Sequence, residues 1–178
     1  MALYLASKGY DPADLVRRDQ YDHWRQWPIS ERDWWRAYRE AIRQGFVFNQ
    51  FEPAAGAACV ISDLRAAGHQ VWLVTARNVP GVQKLCRAQT RAYCAAHNLV
   101  PDRIVFTTNK AVPGIDWLVD DQVSHLLAAQ SAGARTVLWR CAHNQQDRWP
   151  LEADSWPAVR SILEDAGVLQ ASTQPDKL

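Results

Sequence analysis

The chain is short of the features that most directly assign a protein to a class. No apolar run approaches the ~20 residues of a membrane span. The opening Met1-Ala-Leu-Tyr-Leu-Ala-Ser-Lys has neither a basic leader nor a long apolar centre, so no signal peptide is expected and the reading is cytoplasmic. Cys59, Cys86, Cys94 and Cys141 show no C-x-x-C spacing and read as reduced, mostly buried thiols rather than a metal or redox centre. Twenty Lys and Arg against 19 Asp and Glu leave a net charge of +1, which supplies no electrostatic reason to bind long nucleic acid. No G-x-S-x-G, P-loop or G-x-G-x-x-G occurs, so serine hydrolase, P-loop kinase and dinucleotide-binding readings have no support. The five histidines are scattered without metal spacing, and there is neither an internal repeat nor a low-complexity tract.

What the chain does have is enough apolar sequence for a core. At 178 residues, 48% hydrophobic and 22% charged, it reads as one globular domain, or one domain with a small cap. Nine tryptophans are unusual, and by position Trp24, Trp27, Trp34, Trp35 and Trp149 fall outside the expected sheet core. Residues 1–50 read as a helical cap without a convincing strand. A helix over Ala2–Lys8 stops at Gly9, and Asp11-Pro12 restarts one. Ser30 caps a better helix from Glu31 to Gln44, with Trp34, Trp35, Tyr38, Ala41 and Ile42 on one face and Gly45 as its stop.

Residues 51–170 alternate strand and helix, which predicts a parallel sheet covered by helices on both faces. Helices are expected at Ala55–Ala67, Pro80–Asn98, Val123–Ser131 and Trp156–Ala166, and strands at Gln70–Thr75, Arg103–Phe106, Asp116–Val119 and Thr136–Arg140. Residues 171–178 read as a flexible polar tail.

Chemistry concentrates between Val71 and Gln122. Val71-Trp-Leu-Val-Thr75-Ala76-Arg77 and Trp117-Leu-Val-Asp120-Asp121 are apolar runs that end abruptly in polar residues, as buried parallel strands do at a sheet edge. Open α/β sheets carry their chemistry at those carboxyl ends. Thr75, Lys110 from the intervening Thr107-Thr-Asn-Lys110, Asp120 and Asp121 would then share one rim. A hydroxyl, an ammonium and a carboxylate pair suit a phosphate ester with a divalent cation. Taken singly each signal has a plainer reading: Thr75 as a turn former, Arg77 as a solvated base, Lys110 as a surface lysine, and Phe46, Phe48, Phe51 and Trp34 as core. The Asp120-Asp121 pair is the most specific, since adjacent carboxylates repel unless a cation or donors compensate.

These residues resemble the haloacid dehalogenase-like hydrolases, and within them most closely the 5'(3')-deoxyribonucleotidase group. Gly45-Phe46-Val47-Phe48 followed by Pro53-Ala-Ala-Gly-Ala57 resembles the passage from cap to core. Val71–Arg77 is similar to the second motif, whose threonine binds phosphate. Lys110 stands where the third-motif lysine would, and Asp120-Asp121 matches the pair that holds magnesium. His143-Asn144 and then Trp156 resemble the family's asparagine after the last strand and its closing tryptophan helix.

The resemblance implies a Rossmannoid sheet and a magnesium-dependent phosphatase of nucleoside monophosphates. In it Thr75, Ala76, Arg77 and Lys110 would bind phosphate, Lys110 would also act in catalysis, and Asp120 and Asp121 would hold Mg2+. Phe46, Phe48 and Trp34 would line the cap over the substrate. The expected partner is a small phosphate ester; a homodimer is admitted, while long nucleic acid and membrane are not.

The chain departs from that pattern in one place. The family begins its chemistry on a central strand, ahead of the cap, that reads apolar-Asp-x-Asp-Gly, and no such strand occurs here. Asp11-Pro-Ala-Asp14 has the wrong spacing and no apolar strand before it, and Asp63 lies inside an expected helix. Without that carboxylate, covalent phosphoryl transfer by this route is closed and the chain as written is expected to be inactive. The loss would also open two inner strand edges, against a stability of only ~5–15 kcal/mol. One expectation is therefore that the natural product is truncated here and starts roughly 20 residues upstream of Met1. The alternative is a non-catalytic protein that binds a nucleotide or phosphate, or docks a partner. A polynucleotide 3'-phosphatase-like module is disfavoured by the near-neutral charge.

Overall fold

The computed structural model describes residues 1–15, 23–47 and 51–170. It is an α/β fold whose strands are all parallel. The first helices are α1 (Ala2–Ala6) and α2 (Glu31–Arg43), with short 3-10 turns at Pro12–Leu15 and His23–Gln26 where a full helix was expected after Asp11. Asp11 caps the first of these turns by accepting the Ala13 N–H at 2.9 Å. Ser30 Oγ accepts the Asp33 N–H at 3.1 Å and starts α2 as its sequence predicts, and Gly45 turns the chain away at φ +76°.

The N-terminal helices share a core of their own. Leu5, Leu15, Trp27 and Trp34 are buried together, and Trp34 (6% exposed) stacks on Trp24 at 4.9 Å and on Tyr38 at 5.6 Å. Ile42, with Trp35 and Tyr38 beside it, packs on Val79, Val82 and Cys86, so α2 is fastened over the chain that follows the first strand. Gln89 Nε2 adds a 2.7 Å hydrogen bond to the Ile42 carbonyl.

From residue 57 the elements run α3 (Ala57–Ala66), β1 (Trp72–Thr75), α4 (Gln83–Ala96), β2 (Arg103–Phe106), β3 (Trp117–Asp120), α5 (Val123–Ser131), β4 (Arg135–Trp139), β5 (Glu152–Ala153) and α6 (Trp156–Asp165). Period-2 alternation sorts the strand residues onto two faces. Leu118 and Leu138 pack against Leu126 and Ala129 of α5, while Val119 and Val137 face Val159 and Leu163 of α6. Trp149, expected outside the sheet core, packs on the α5 face and donates its indole N–H to Thr136 Oγ1 at 3.0 Å. Asp63 sits inside α3 and is ion-paired with Arg160 of α6, which ties those two helices together. The two-residue β5 is too short to carry a periodicity that the sequence could show.

The sheet is divided. β1 pairs with β2, and β3, β4 and β5 form a separate three-stranded piece. The carbonyls of Val71 and Thr75 point to the β2 side, accepting the Asp102 and Thr107 N–H groups, so the Val74 carbonyl points the other way. Among the described residues, that edge of β1 and the matching edge of β3 have no ladder partner. Both edges flank the place where the chemistry-bearing residues gather.

Candidate active site

Three strand ends build the rim. β1 ends at Thr75, whose Oγ1 accepts the Arg77 N–H at 3.3 Å and so begins the turn towards α4. Ala76 is exposed at the head of that turn, and the Arg77 guanidinium lies 5.8 Å from the centre of the Tyr93 ring. The loop after β2 is wound by two side chains. Thr107 Oγ1 accepts the Asn109 N–H at 3.1 Å, and Asn109 Oδ1 accepts the Ala111 N–H at 2.9 Å. Those turns aim Lys110 inward, where it is 6% exposed. Its Nζ donates to the Val74 carbonyl at 2.6 Å and lies 3.5 Å from Asp120 Oδ2. One ammonium therefore spans the open edge of β1 and the end of β3. A buried cation is tolerated because both contacts compensate its lost hydration.

Asp120 ends β3 and Asp121 follows at the bend; their carboxylates are close enough to interact, and each has further partners of its own. Asp120 Oδ1 accepts the Gln122 N–H at 3.0 Å and lies 2.8 Å from His125 Nδ1, in the first turn of α5. Asp121 Oδ2 lies 3.4 Å from His143 Nε2, on the loop after β4. Burial, and then the neighbouring Asp120 charge, push the Asp121 carboxyl above its ordinary value. That loop is held by Asn144, 1% exposed. Its Nδ2 donates to the carbonyls of Asp121 (2.9 Å) and Trp139 (2.8 Å), and its Oδ1 accepts the Cys141 N–H at 2.9 Å.

Residues 2–170 match the family model for the 5' nucleotidase, deoxy (pyrimidine), cytosolic type C protein. The chain belongs to this family. It is a family of 5'-nucleotidases, phosphatases whose substrates are nucleoside monophosphates. No curated protein is similar enough to the chain to count as a match. Among the described residues no helix is long and apolar enough to cross a membrane.

Nucleotidases of this kind generally use a divalent metal. The donor set at the end of β3 fits a hard cation: two carboxylates on one rim, with the ionised form of Asp121 disfavoured by burial and by its neighbour's charge. A bound cation would relieve that repulsion. Of the sequence-predicted site residues, Lys110 and Asp120 meet beside the end of β1, where Thr75, Ala76 and Arg77 follow; the Arg77 guanidinium lies over Tyr93, and the Asp121 carboxylate reaches His143. Phe46 belongs to the cap, 5.6 Å from the Tyr4 ring, and Trp34 is enclosed by Trp24 and Tyr38. Phe48 lies outside the described residues. A cavity of about 520 Å3 is lined by residues of α1, α2 and the turn after α1, such as Tyr4, Lys8, Arg36 and Glu40, and none of the rim residues line it.

Sequence reasoning missed His125 and Cys141, and took His143 only as part of a likeness. The signal for His125 was present, because a helix that starts directly after Asp120-Asp121 returns its first turn to the strand end. Cys141-x-His143 was legible once β4 was placed beside β3, since loops after adjacent parallel strands open on the same rim.

Proposed function

We propose that this chain carries the phosphate-gripping half of a magnesium-dependent 5'-nucleotidase that hydrolyses deoxyribonucleoside monophosphates. The observation that supports it most is Lys110, a buried ammonium poised between the end of β1 and Asp120. Thr75 Oγ1 and the backbone N–H groups of Ala76 and Arg77 would hold the non-reacting phosphate oxygens. Lys110 would stabilise charge on the transferring phosphoryl group, where an oriented cation in a dry site acts most strongly. Asp120, joined by Asp121 or by a water that Asp121 orients, would hold Mg2+, and the ion would supply Lewis-acid neutralisation of the phosphate. Phe46 and Phe48 would close over the nucleoside, and Trp34, within its own aromatic cluster, would keep the cap rigid.

The reading needs a carboxylate nucleophile, and the gap between β1 and β3 is where a strand carrying Asp-x-Asp-Gly would lie, opposite Lys110 and Asp120. The test is phosphate release from deoxyribonucleoside monophosphates by a form extended at its N-terminus with such a strand. Activity that requires Mg2+ is expected, and Lys110→Met should lower kcat/KM by about 100-fold or more. Absence of metal-dependent release from the extended form, or full activity in Lys110→Met, would refute the assignment.

The two unladdered edges favour a second reading, in which the chain binds phosphate without turnover and takes a strand from a partner or from a second copy. Gel filtration separates the two: a well-folded monomer speaks against strand sharing, and a dimer that dissociates only on unfolding speaks for it.

A further inference from the structure

Beside the phosphate rim, but facing β4 rather than β1, stands a second cluster of metal-ligating groups. Asp121, Cys141 and His143 each offer a donor atom, and the three atoms lie within 4.8 Å of one another. His143 Nε2 is 3.5 Å from Cys141 Sγ and 3.4 Å from Asp121 Oδ2. Tetrahedral zinc, with Zn–S near 2.3 Å and Zn–N or Zn–O near 2.1 Å, requires ligand separations of about 3.6 Å for sulfur to nitrogen and about 3.4 Å for nitrogen to oxygen. These two separations are of the right size. Cys141 Sγ also lies 3.3 Å from His143 Nδ1, so it sits beside both ring nitrogens and a turn of the imidazole would be needed to aim one of them at a shared ion. The sulfur-to-oxygen separation is within 4.8 Å.

We propose that Asp121, Cys141 and His143 form a site for a borderline-soft divalent cation, zinc in the first place, with the fourth position left to water or an anion. Three features carry this. The ligand set is mixed thiolate, imidazole and carboxylate, which selects zinc over magnesium. All three side chains are half-buried, so an ion there would be partly shielded from bulk water. The ligands come from two chain segments fixed to each other, because the buried Asn144 amide holds the Asp121 carbonyl and the Cys141 N–H at once. Support of this kind around the ligands is what keeps a metal site in register. Its three ligands do not include Asp120, which adjoins Asp121 and contacts Lys110 and His125. It shares Asp121 with the rim, so zinc bound here would draw that carboxylate away from any magnesium ion.

Cobalt(II) titration of the chain, followed by absorption, tests the site without reference to catalysis. Expected is a thiolate-to-cobalt charge-transfer band that saturates at one equivalent, with visible bands of tetrahedral intensity. Zinc should abolish the band stoichiometrically, and a large excess of magnesium should leave it. Cys141→Ser should remove the band. His143→Gln should weaken cobalt binding by at least the ~10–100-fold that changes around metal ligands cost. Cys59→Ser, at an exposed thiol away from the cluster, should retain the band and serves as the folded control. No charge-transfer band in the wild type, a band that survives Cys141→Ser, or unchanged affinity in His143→Gln would each overturn the proposal.

Discussion

Asn144→Ala is expected to be among the costliest single changes at the rim. The side chain is 1% exposed and makes three hydrogen bonds, all to backbone: to the Asp121 and Trp139 carbonyls at 2.9 and 2.8 Å, and from the Cys141 N–H at 2.9 Å. Each such bond contributes about 1 kcal/mol net, and groups left unpaired in a buried site lose more than that. Alanine should therefore cost about 3 kcal/mol, a large part of the ~5–15 kcal/mol that a domain has in total. For a chain of this length that corresponds to a fall in Tm of roughly 6–12 °C. Urea unfolding followed by tryptophan fluorescence gives the free energy directly, with the slope of the transition checking that it remains two-state. Asn144→Leu separates packing from hydrogen bonding. It refills the volume but restores no bond, so it should remain at least about 2 kcal/mol below the wild type. Asn144→Asp keeps an acceptor for Cys141 but sets a negative charge against two carbonyl oxygens, and at neutral pH should do no better than alanine. A loss below about 1 kcal/mol in Asn144→Ala would mean that the loops after β3 and β4 hold each other without the amide, which refutes the reasoning.

Trp34→Ala removes the buried ring between Trp24 and Tyr38 and should destabilise the cap by about 3–5 kcal/mol, read as an earlier unfolding transition in tryptophan fluorescence; an unchanged midpoint would show that the aromatic cluster is not a cooperative core. Asp102 should make stability fall in acid. The Val71 N–H, then the Arg65 guanidinium, hold its carboxyl below the usual 3.8, so its contribution is present above that pH and is lost as pH falls through the lower folded value. Asp102→Asn should thus be less stable than the wild type at neutral pH and converge with it in strong acid; a difference in unfolding free energy that stays constant with pH would contradict this.

The elements of the core were legible because their signals are local. Val123–Ser131 and Arg103–Phe106 fall at the residues their apolar pattern marks, and Ser30 begins α2 through the capping bond its sequence announces. Pro12–Leu15 is a 3-10 turn where a helix is expected, a distinction that capping residues do not make. The division of the sheet follows from long-range pairing. No residue in β1 or β3 states which neighbour it lacks, and the open edges emerged only from the direction of the Val74 carbonyl. Lys110 is the clearest case of both. Its sequence position suggested a phosphate site, yet a surface loop was the default, and burial between two strand ends decided against the default.

The Asp120-Asp121 pair reads from sequence as one metal-binding unit, and in the structure the two carboxylates interact but have different further partners. β3 ends at Asp120 and the chain bends at Asp121, so the two side chains need not share every neighbour. Asp120 shares its face with Leu118, which packs on α5, and it meets His125 from that same helix. Asp121 is directed to the loop after β4, where His143 stands. Neutralising the two in turn should then have different effects on the cobalt spectrum. Asp121→Asn should weaken binding at the thiolate site. Asp120→Asn should leave the thiolate charge-transfer band in place and instead disturb the contacts to Lys110 and His125. If Asp120→Asn abolishes the band as completely as Asp121→Asn does, the two carboxylates act on one ion after all, and their different further partners do not divide them in function.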